Sequence, residues 1–189
     1  MGRSKLLSDG AVLGRLLTQL ERVGPGGLTF AKASEAAGLS AASLVQRFGA
    51  RDAMVEAVLL HAWDRLDAAT AAADAEAPAT PAGAIDLLLR LLPGDASGCD
   101  VTDGLLLLRE DFRNPRLCAR GAAWGATLAR ALGRRLTTAP GDADRLGWQM
   151  ASIWQGAIIW SAFRRESDAG SEIGTALAEW CHSVGASTR

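Results

Sequence analysis

The stretch TFAKASEAAGLSAASLVQRFGARD, which begins at Thr29, decides the fold. A short helix is predicted over about residues 30–36, because Thr29 can cap its start and Gly38 can end it in a left-handed conformation. Ser40 can cap a second short helix over about residues 41–47. Since a glycine lets the chain reverse within a few residues, the stretch predicts a helix-turn-helix.

The composition of the whole chain predicts helices alone. Its 189 residues include 37 Ala and 27 Leu, but 7 Val, 5 Ile and no Tyr. Strong helix formers therefore dominate, and residues that favour strands are scarce. Apolar residues recur at helical spacing between Gly and Pro breakers. We expect an all-α fold of about nine helices, with one long helix that begins near residue 50.

The formal net charge of -1 conceals an asymmetry along the chain. Residues 1–51 hold seven Lys or Arg against three Asp or Glu, a net charge of +4, and the remaining 138 residues carry -5. A chain coated uniformly with positive charge is excluded, but a small basic head is typical of a nucleic-acid-binding domain. We predict a domain boundary after residue 51.

Cysteine usage and hydropathy indicate the compartment. Three cysteines, an odd number without a CxxC pair, argue against a disulfide framework and a zinc knuckle. The N-terminal residues lack the apolar core of a signal peptide, and no apolar stretch approaches 18 residues without a charge or a breaker. We expect a cytoplasmic protein that does not span a membrane.

Catalytic and metal-binding motifs are missing from the sequence. It contains no GxGxxG, GxSxG or P-loop pattern. Glu110 and Asp111 are adjacent on a predicted helix, so their side chains point about 100° apart and cannot share one substrate. The residues His61, Cys118, Cys181 and His182 include no pair spaced i, i+4. We expect no enzyme, no cofactor and no metal.

Residues 29–52 resemble the DNA-binding signature of TetR-type (tetracycline-repressor-like) transcriptional regulators, in register and without a gap. That family's pattern runs Thr, an Ile-Ala pair, Ala-Gly-Val-Ser, then Gly-Thr-Leu-Tyr-x-His-Phe and Lys-Glu. The resemblance implies a helix-turn-helix DNA-binding domain over residues 1–51 and a helical ligand-binding and dimerisation domain over residues 52–189.

The resemblance also implies roles for individual residues. Thr29 would cap its helix and touch a phosphate, and Arg51 would stand where the family's Lys meets the DNA backbone. Leu44 and Phe48, four apart on one helical face, would hold the recognition helix on the bundle. The opposite face would enter a major groove, where Gln46 either bonds adenine or points at solvent. The residues predicted to contact DNA are Thr29, Lys32, Ala41, Ser43, Val45, Gln46, Arg47 and Arg51.

Four positions depart from the family pattern. Val45 replaces the usual Tyr, whose hydroxyl contact with a phosphate is lost, although Val45 can pack on a thymine methyl group. Arg47 replaces His and adds a full charge that can reach guanine or phosphate. Ala42 replaces Gly, and Ala50 replaces the Ser that often caps the long helix, a loss that costs about 0.5–2 kcal/mol.

Six tryptophans are many for this length, and five lie in the C-terminal half. Such residues are usually core or interface, but tryptophan also makes a good wall for a flat apolar ligand. The resemblance implies an effector cavity among the middle helices, and we predict that its lining includes Trp63, Phe112, Trp124 and Trp154.

The last two predicted helices suggest how copies of the chain associate. Residues 142–165 carry two adjacent apolar faces, whereas a helix in a small protein needs only one for its own core. We therefore expect a homodimer formed through the last two helices.

Together with the resemblance, the predicted dimer indicates a ligand-responsive transcriptional regulator. We expect a repressor that a small apolar or aromatic effector releases from a palindromic double-stranded DNA operator. Two alternatives stay open: a plain corner of a helical bundle, and a small-molecule sensor or partner-binding protein with the same fold but weak or no specific DNA binding.

Overall fold

The secondary structure is helical throughout the part of the chain that the structure describes. The computed structural model describes residues 7–92, 108–164 and 168–186, and within these ranges it contains nine helices and no strand. The expected all-α fold of about nine helices is confirmed. The helices are α1 (Asp9–Gly27), α2 (Phe30–Ala37), α3 (Ala41–Phe48), α4 (Arg51–Glu76), α5 (Pro81–Arg90), α6 (described over residues 108–113), α7 (Pro115–Leu136), α8 (Pro140–Arg164) and α9 (Ala169–Ser183).

Short polar side chains start several of these helices. The hydroxyl of Thr29 accepts a hydrogen bond from the backbone N–H of Lys32 at 3.3 Å, and that of Ser40 accepts from Ser43 N at 3.1 Å. Each bond satisfies one of the N–H groups that the first helical turn leaves unpaired. At the start of α4, Ala50 supplies only its backbone carbonyl, as the sequence predicted.

A left-handed glycine makes the turn between α2 and α3. Gly38 has φ 68° and ψ 32°, and its N–H donates to Ser34 O at 2.9 Å. A side chain would be strained in this conformation, so the glycine ends α2 and lets α3 begin three residues later. The predicted helix-turn-helix is confirmed.

Contacts between residues divide the chain into two compact units. The described part of the first unit covers residues 7–65 and 108–120, and that of the second covers 66–92, 121–164 and 168–186. The long helix α4 thus contributes residues to both. The predicted boundary between a DNA-binding domain over residues 1–51 and a ligand-binding and dimerisation domain over residues 52–189 stays a prediction.

The core of the first unit holds the helix-turn-helix in place. Leu44 is fully buried in this core, and Phe48 packs against it. The predicted anchoring of α3 through these two residues is confirmed. Other fully buried members come from four helices: Val12, Leu16, Leu20, Ala33, Ala37, Met54, Val58 and Leu117.

The core of the second unit brings the backbones of α7 and α8 into contact. A Cβ added at Gly147 would lie 2.0 Å from Ala129 O, and one added at Gly133 would lie 2.2 Å from Ala143 O. Only glycine fits at these distances, so these two residues set the approach of the helices.

The sequence predicts two adjacent apolar faces over residues 142–165, and α8 has one buried apolar stripe and exposed aromatic residues beside it. The buried stripe advances in steps of four, through Leu146, Met150, Trp154 and Ile158, because side chains at that spacing form the ridges that pack into a neighbouring helix. Trp160, by contrast, is 60% exposed.

The run DGLLLLREDF, residues 103–112, is apolar most of the way round, so the sequence predicts a buried helix there and a loop in the segment PGDASGCD before it. That segment and residues 103–107 lie outside the described part of the chain. In the described part of α6, Asp111 is buried but Phe112 is 75% exposed, so α6 is not buried throughout.

Candidate nucleic-acid interface and effector cavity

One face of α3 is exposed from its first turn to its last. Leu44 is the buried residue of this helix, and Phe48 is partly buried. The opposite face carries mainly small and apolar side chains. The exposed residues are Ala41, Ala42, Ser43, Val45, Gln46 and Arg47.

The polar side chains on this face differ in their hydrogen bonding. Ser43 Oγ lies 2.8 Å from Ser40 Oγ, so each hydroxyl already has a partner. Arg47 Nη1 lies 3.3 Å from Asp9 Oδ1 at the start of α1. The amide of Gln46 has no hydrogen-bond partner among the described residues, which leaves its donor and acceptor available for a ligand.

Two of the residues predicted to contact DNA lie at the start of α2. Thr29 and Lys32 are both exposed at the start of the helix. The Thr29 hydroxyl is engaged as the cap of α2. The ammonium group of Lys32 makes no ion pair among the described residues. Its contact with a phosphate stays a prediction that the geometry allows.

The structure gives Arg51 a role that the sequence did not reveal. Its Nε donates to Leu28 O at 3.1 Å, its Nη2 donates to Pro25 O, and its Nη1 pairs with Asp52 Oδ1 at 2.9 Å. The guanidinium therefore joins the end of α1 to the start of α4. A contact between Arg51 and the DNA backbone stays a prediction, and it would compete with these bonds.

Two further residues of the basic N-terminal segment, Arg15 and Asp9, make contacts that the sequence did not predict. Arg15 donates to Ala37 O at 2.9 Å, where the last carbonyls of α2 lack helical partners. Asp9 orients Arg47. Basic residues near helix ends are favourable in general, but no local pattern shows that α1 supplies the one that reaches α2.

The second unit contains a cavity of about 360 Å³ between α7 and α8. Its walls include three tryptophans. Trp124 and Trp154 were predicted to line the effector cavity, and Trp148 was not. Gly125 makes room for the third ring, because a Cβ there would lie 2.8 Å from Trp148 Cη2. The remaining lining residues are Leu128, Ala151, Ser152, Gln155 and Gly156.

The two predicted tryptophans of this cavity differ in their indole N–H groups. Trp124 Nε1 donates to Thr70 Oγ1 at 2.9 Å, which fixes the ring against α4. Trp154 is 5% exposed, and its Nε1 has no hydrogen-bond partner among the described residues. An unpaired buried N–H group costs free energy, so this donor lowers the stability of the second unit.

The other two predicted effector residues belong to the first unit, and neither lines this cavity. Trp63 Nε1 donates to Asp111 Oδ1 at 3.1 Å. Burial raises the pKa of the Asp111 carboxyl above its usual value, the bond from Trp63 opposes the shift, and the nearby Glu110 adds to it. Phe112 is largely exposed.

A second cavity, of about 770 Å³, lies within the first unit and has charged walls. Glu56 on α4 accepts a hydrogen bond from Asn114 Nδ2 at 2.7 Å and pairs with Arg116. These bonds hold the junction of α6 and α7 on the start of α4. None of the four predicted effector residues lines it.

Comparison with known proteins identifies the fold. No protein-family model matches the chain, and no curated protein matches it. Among solved structures, a protein from Pseudomonas aeruginosa PAO1 described as a transcriptional regulator is similar with a TM-score of 0.72 and 16% identity, over 92% of this chain and 88% of that one. A protein from Rhodococcus sp. described as a TetR-family transcriptional regulator is similar with a TM-score of 0.65 and 22% identity, over 89% and 95%. The chain has the TetR-regulator fold.

Within this TetR fold, the described residues show neither a membrane-crossing helix nor a metal site. None of the described helices is long and apolar enough to cross a membrane. No group of three His, Cys, Asp or Glu in the same part of the chain is placed to hold a metal ion.

Proposed function

We propose that this chain is a homodimeric, ligand-responsive DNA-binding transcriptional regulator, a cytoplasmic repressor that a small apolar or aromatic effector releases from its operator. The observation that carries the proposal is the exposed face of α3, held by Leu44 in a helix-turn-helix and set in the TetR fold. A helix presented in this way enters a major groove with its N-terminal residues against the base edges.

DNA binding needs backbone contacts as well as base contacts. Lys32 is an exposed cation beside α3 and would neutralise a phosphate, as would Arg47 in the last turn of α3. Each such contact releases counterions from the DNA, so the affinity would fall as salt is added. A dimer would place two α3 helices in successive major grooves, about 34–36 Å apart, on a palindromic operator.

Exposed aromatic side chains on α8 support the homodimer. Trp160 and Phe163 are 60% and 72% exposed, and their ring centroids lie 5.7 Å apart. Trp148 is exposed on the same helix and borders a groove that Trp180 of α9 also lines. Aromatic side chains of this kind carry much of the binding energy in interfaces. We propose that α8 and α9 pair with the same helices of a second copy.

The Trp-lined cavity between α7 and α8 is our candidate for the effector site. Its volume suits a small planar molecule, since ligand cavities begin at about 300 Å³. A bound molecule would act on DNA binding through α4, which contributes residues to both compact units. It can shift the equilibrium only by the difference between its affinities for the two states.

A mobility-shift assay with DNA flanking the protein's own gene tests the proposal. The full-length dimer should give a specific shift at low and at moderate salt, and Lys32→Ala should weaken it. Arg113→Ala is a matched control, because Arg113 is an exposed cation of the same unit that lies on α6. No specific shift from a folded dimer would favour the alternative, a sensor or partner-binding protein that lacks specific DNA binding.

A further inference from the structure

The side chains that α3 presents on its exposed face have an unusual chemistry for a base-reading helix. Ala41, Ala42 and Val45 are apolar, and they occupy half of the exposed positions. In the major groove the one apolar feature of a base edge is the C5-methyl group of thymine. The apolar half of the face is therefore complementary to thymine.

The polar half of the face offers few groups for the other bases. Cytosine is read through its N4 donor by Asp or Glu, and α3 carries neither. The Ser43 hydroxyl is paired with Ser40. Gln46 has an unpartnered amide, and a Gln amide can bond adenine N6 and N7 together.

Guanine is read most often by Arg or Lys, and Arg47 is the one such residue on α3. Its side chain is 28% exposed and runs to Asp9 at the start of α1. It also stands in the last turn of the helix, whereas base contacts come mainly from the N-terminal residues of a recognition helix. This placement suits a phosphate.

We propose that α3 reads A·T base pairs, with Gln46 on adenine, Val45 on an adjacent thymine methyl group, and Arg47 on the DNA backbone. The inference rests on the proposed function and deepens it, because it specifies the base pairs at the centre of each operator half-site. It also assigns Asp9 as the positioning residue that directs Arg47 away from the base edges.

A guanine in the half-site would compete with Asp9 for the side chain of Arg47. An exposed ion pair contributes little stability, so Arg47 can leave Asp9 if a guanine offers a better partner. The half-site would then contain a G·C pair at the position that Arg47 contacts. The two possibilities differ in the bases selected, and the following experiments separate them.

Selection of binding sites from random double-stranded DNA by the full-length dimer gives the first test. The wild-type protein should enrich half-sites with adjacent A·T pairs, and Gln46→Ala and Val45→Ala should each lose the preference at one of them. Enrichment of G·C pairs at those positions would overturn the inference and leave the proposed function intact. Enrichment of no sequence by a folded dimer would overturn both.

Replacing thymine with deoxyuridine in the selected operator removes only the methyl group. At the position assigned to Val45, the wild-type protein should lose about fourfold in affinity, the factor expected for one buried methyl group. Val45→Ala should lose much less from the same replacement. Equal losses in both proteins would show that Val45 does not contact that methyl group.

Two further variants, Arg47→Ala and Gln46→Arg, test the phosphate contact of Arg47 and the base contact of Gln46. Arg47→Ala should lower affinity about tenfold for all sequences alike and reduce the salt slope by about 1, because it removes one phosphate contact. Gln46→Arg should change the preference at one position from adenine to guanine, by at least about fivefold. A changed base preference in Arg47→Ala would overturn the assignment. The helical circular-dichroism signal and the sedimentation of each variant establish that it remains a folded dimer.

Discussion

The guanidinium of Arg135 donates two hydrogen bonds to Asp74, one to the carboxylate Oδ1 at 2.5 Å and one to the backbone carbonyl oxygen at 2.7 Å. Three further bonds run to Pro78 O at 2.9 Å, Ala77 O at 3.0 Å and Ala131 O at 2.8 Å. The side chain of Arg135 is only 3% exposed, and all five N–H donors of its guanidinium have acceptors within the protein. Burial raises the pKa of Asp74, but the bonds from Arg134 and Arg135 outweigh that effect and hold it below its usual value.

Replacing Arg135 should destabilise the second unit strongly. Arg135→Ala removes one of the two arginines that pair with the Asp74 carboxylate, and it takes the side-chain donor from four backbone carbonyl groups. We therefore expect the free energy of unfolding to fall by about 3–5 kcal/mol. Arg134→Ala is the matched control, because Arg134 also pairs with Asp74 but is half exposed, and its removal should cost about 0–1 kcal/mol. Denaturant titration compares the two, and equal losses would contradict the prediction.

Asp111 should lower the stability as the pH rises, in the direction opposite to a carboxylate whose folded-state pKa is lowered. Because its folded-state pKa is raised, the folded state binds the proton more tightly, and the cost of the buried charge grows as pH increases. Asp111→Asn removes that cost and can still accept from Trp63. The unfolding free energy of the variant, relative to wild type, should therefore rise from about pH 4 to pH 7. Asp144→Asn, at an exposed position of α8, is the matched control for the loss of one carboxylate. A flat difference for Asp111→Asn would show that burial leaves this carboxyl unperturbed.

Two glycines of α8 should respond oppositely to alanine. Gly147→Ala places a Cβ against the carbonyl oxygen of Ala129, which belongs to the backbone and cannot rotate away. The variant should lose about 1–3 kcal/mol as α7 and α8 separate. Gly156→Ala meets nothing within 4 Å and should gain about 0.5–1 kcal/mol from its helix propensity. Thermal melts of both variants provide the measurement, and an unaffected Gly147→Ala protein would refute the close approach.

The exposed aromatic pair of α8 should decide the oligomeric state. The double variant Trp160→Ser, Phe163→Ser should weaken self-association by at least about 2 kcal/mol, because buried aromatic residues dominate interfaces. Sedimentation velocity should show folded monomers at concentrations where the wild type is a dimer. Phe112→Ser changes an equally exposed aromatic residue on α6 and should leave the dimer intact. A dimeric double variant would place the interface elsewhere.

Replacing Arg51 distinguishes a structural role of this residue from a role in DNA binding. Arg51→Ala removes the donor from two carbonyl groups at the end of α1, so we expect a loss of about 1–3 kcal/mol in unfolding free energy. Arg113→Ala, with an exposed side chain, should lose almost none. If Arg51→Ala keeps full stability and loses only DNA affinity, the backbone contact implied by the resemblance is the correct role.

Features that depend on local chemistry were predictable from the sequence. Thr29 and Ser40 cap their helices because a hydroxyl followed by an N–H group three residues later needs no tertiary contact. Gly38 is equally local, since its left-handed backbone is a property of the residue itself. Leu44 follows from helical periodicity on a short helix with one apolar face.

Features that depend on partners distant in sequence were not predictable. Arg51 and Arg135 bind carbonyl groups 23 to 61 residues away, and a carbonyl leaves no signature in the sequence. Periodicity indicated that α8 is apolar on more than one face, but it could not show which face is buried, because the direction of the packing ridges depends on α7 and its neighbours. The predicted effector residues are aromatic and come mostly from the middle helices, but neither property shows to which compact unit a side chain belongs, so they fall in both.

The two arginines that join helix ends affect which substitutions this fold tolerates. Arg51 and Arg135 bind main-chain oxygens, which every amino acid supplies, so the acceptor positions can mutate without loss of the bond. A substitution at Arg51 or Arg135 removes the donor itself. The connection between these helix ends therefore depends on two side chains and on the backbone, and not on the identity of most of the residues that they contact.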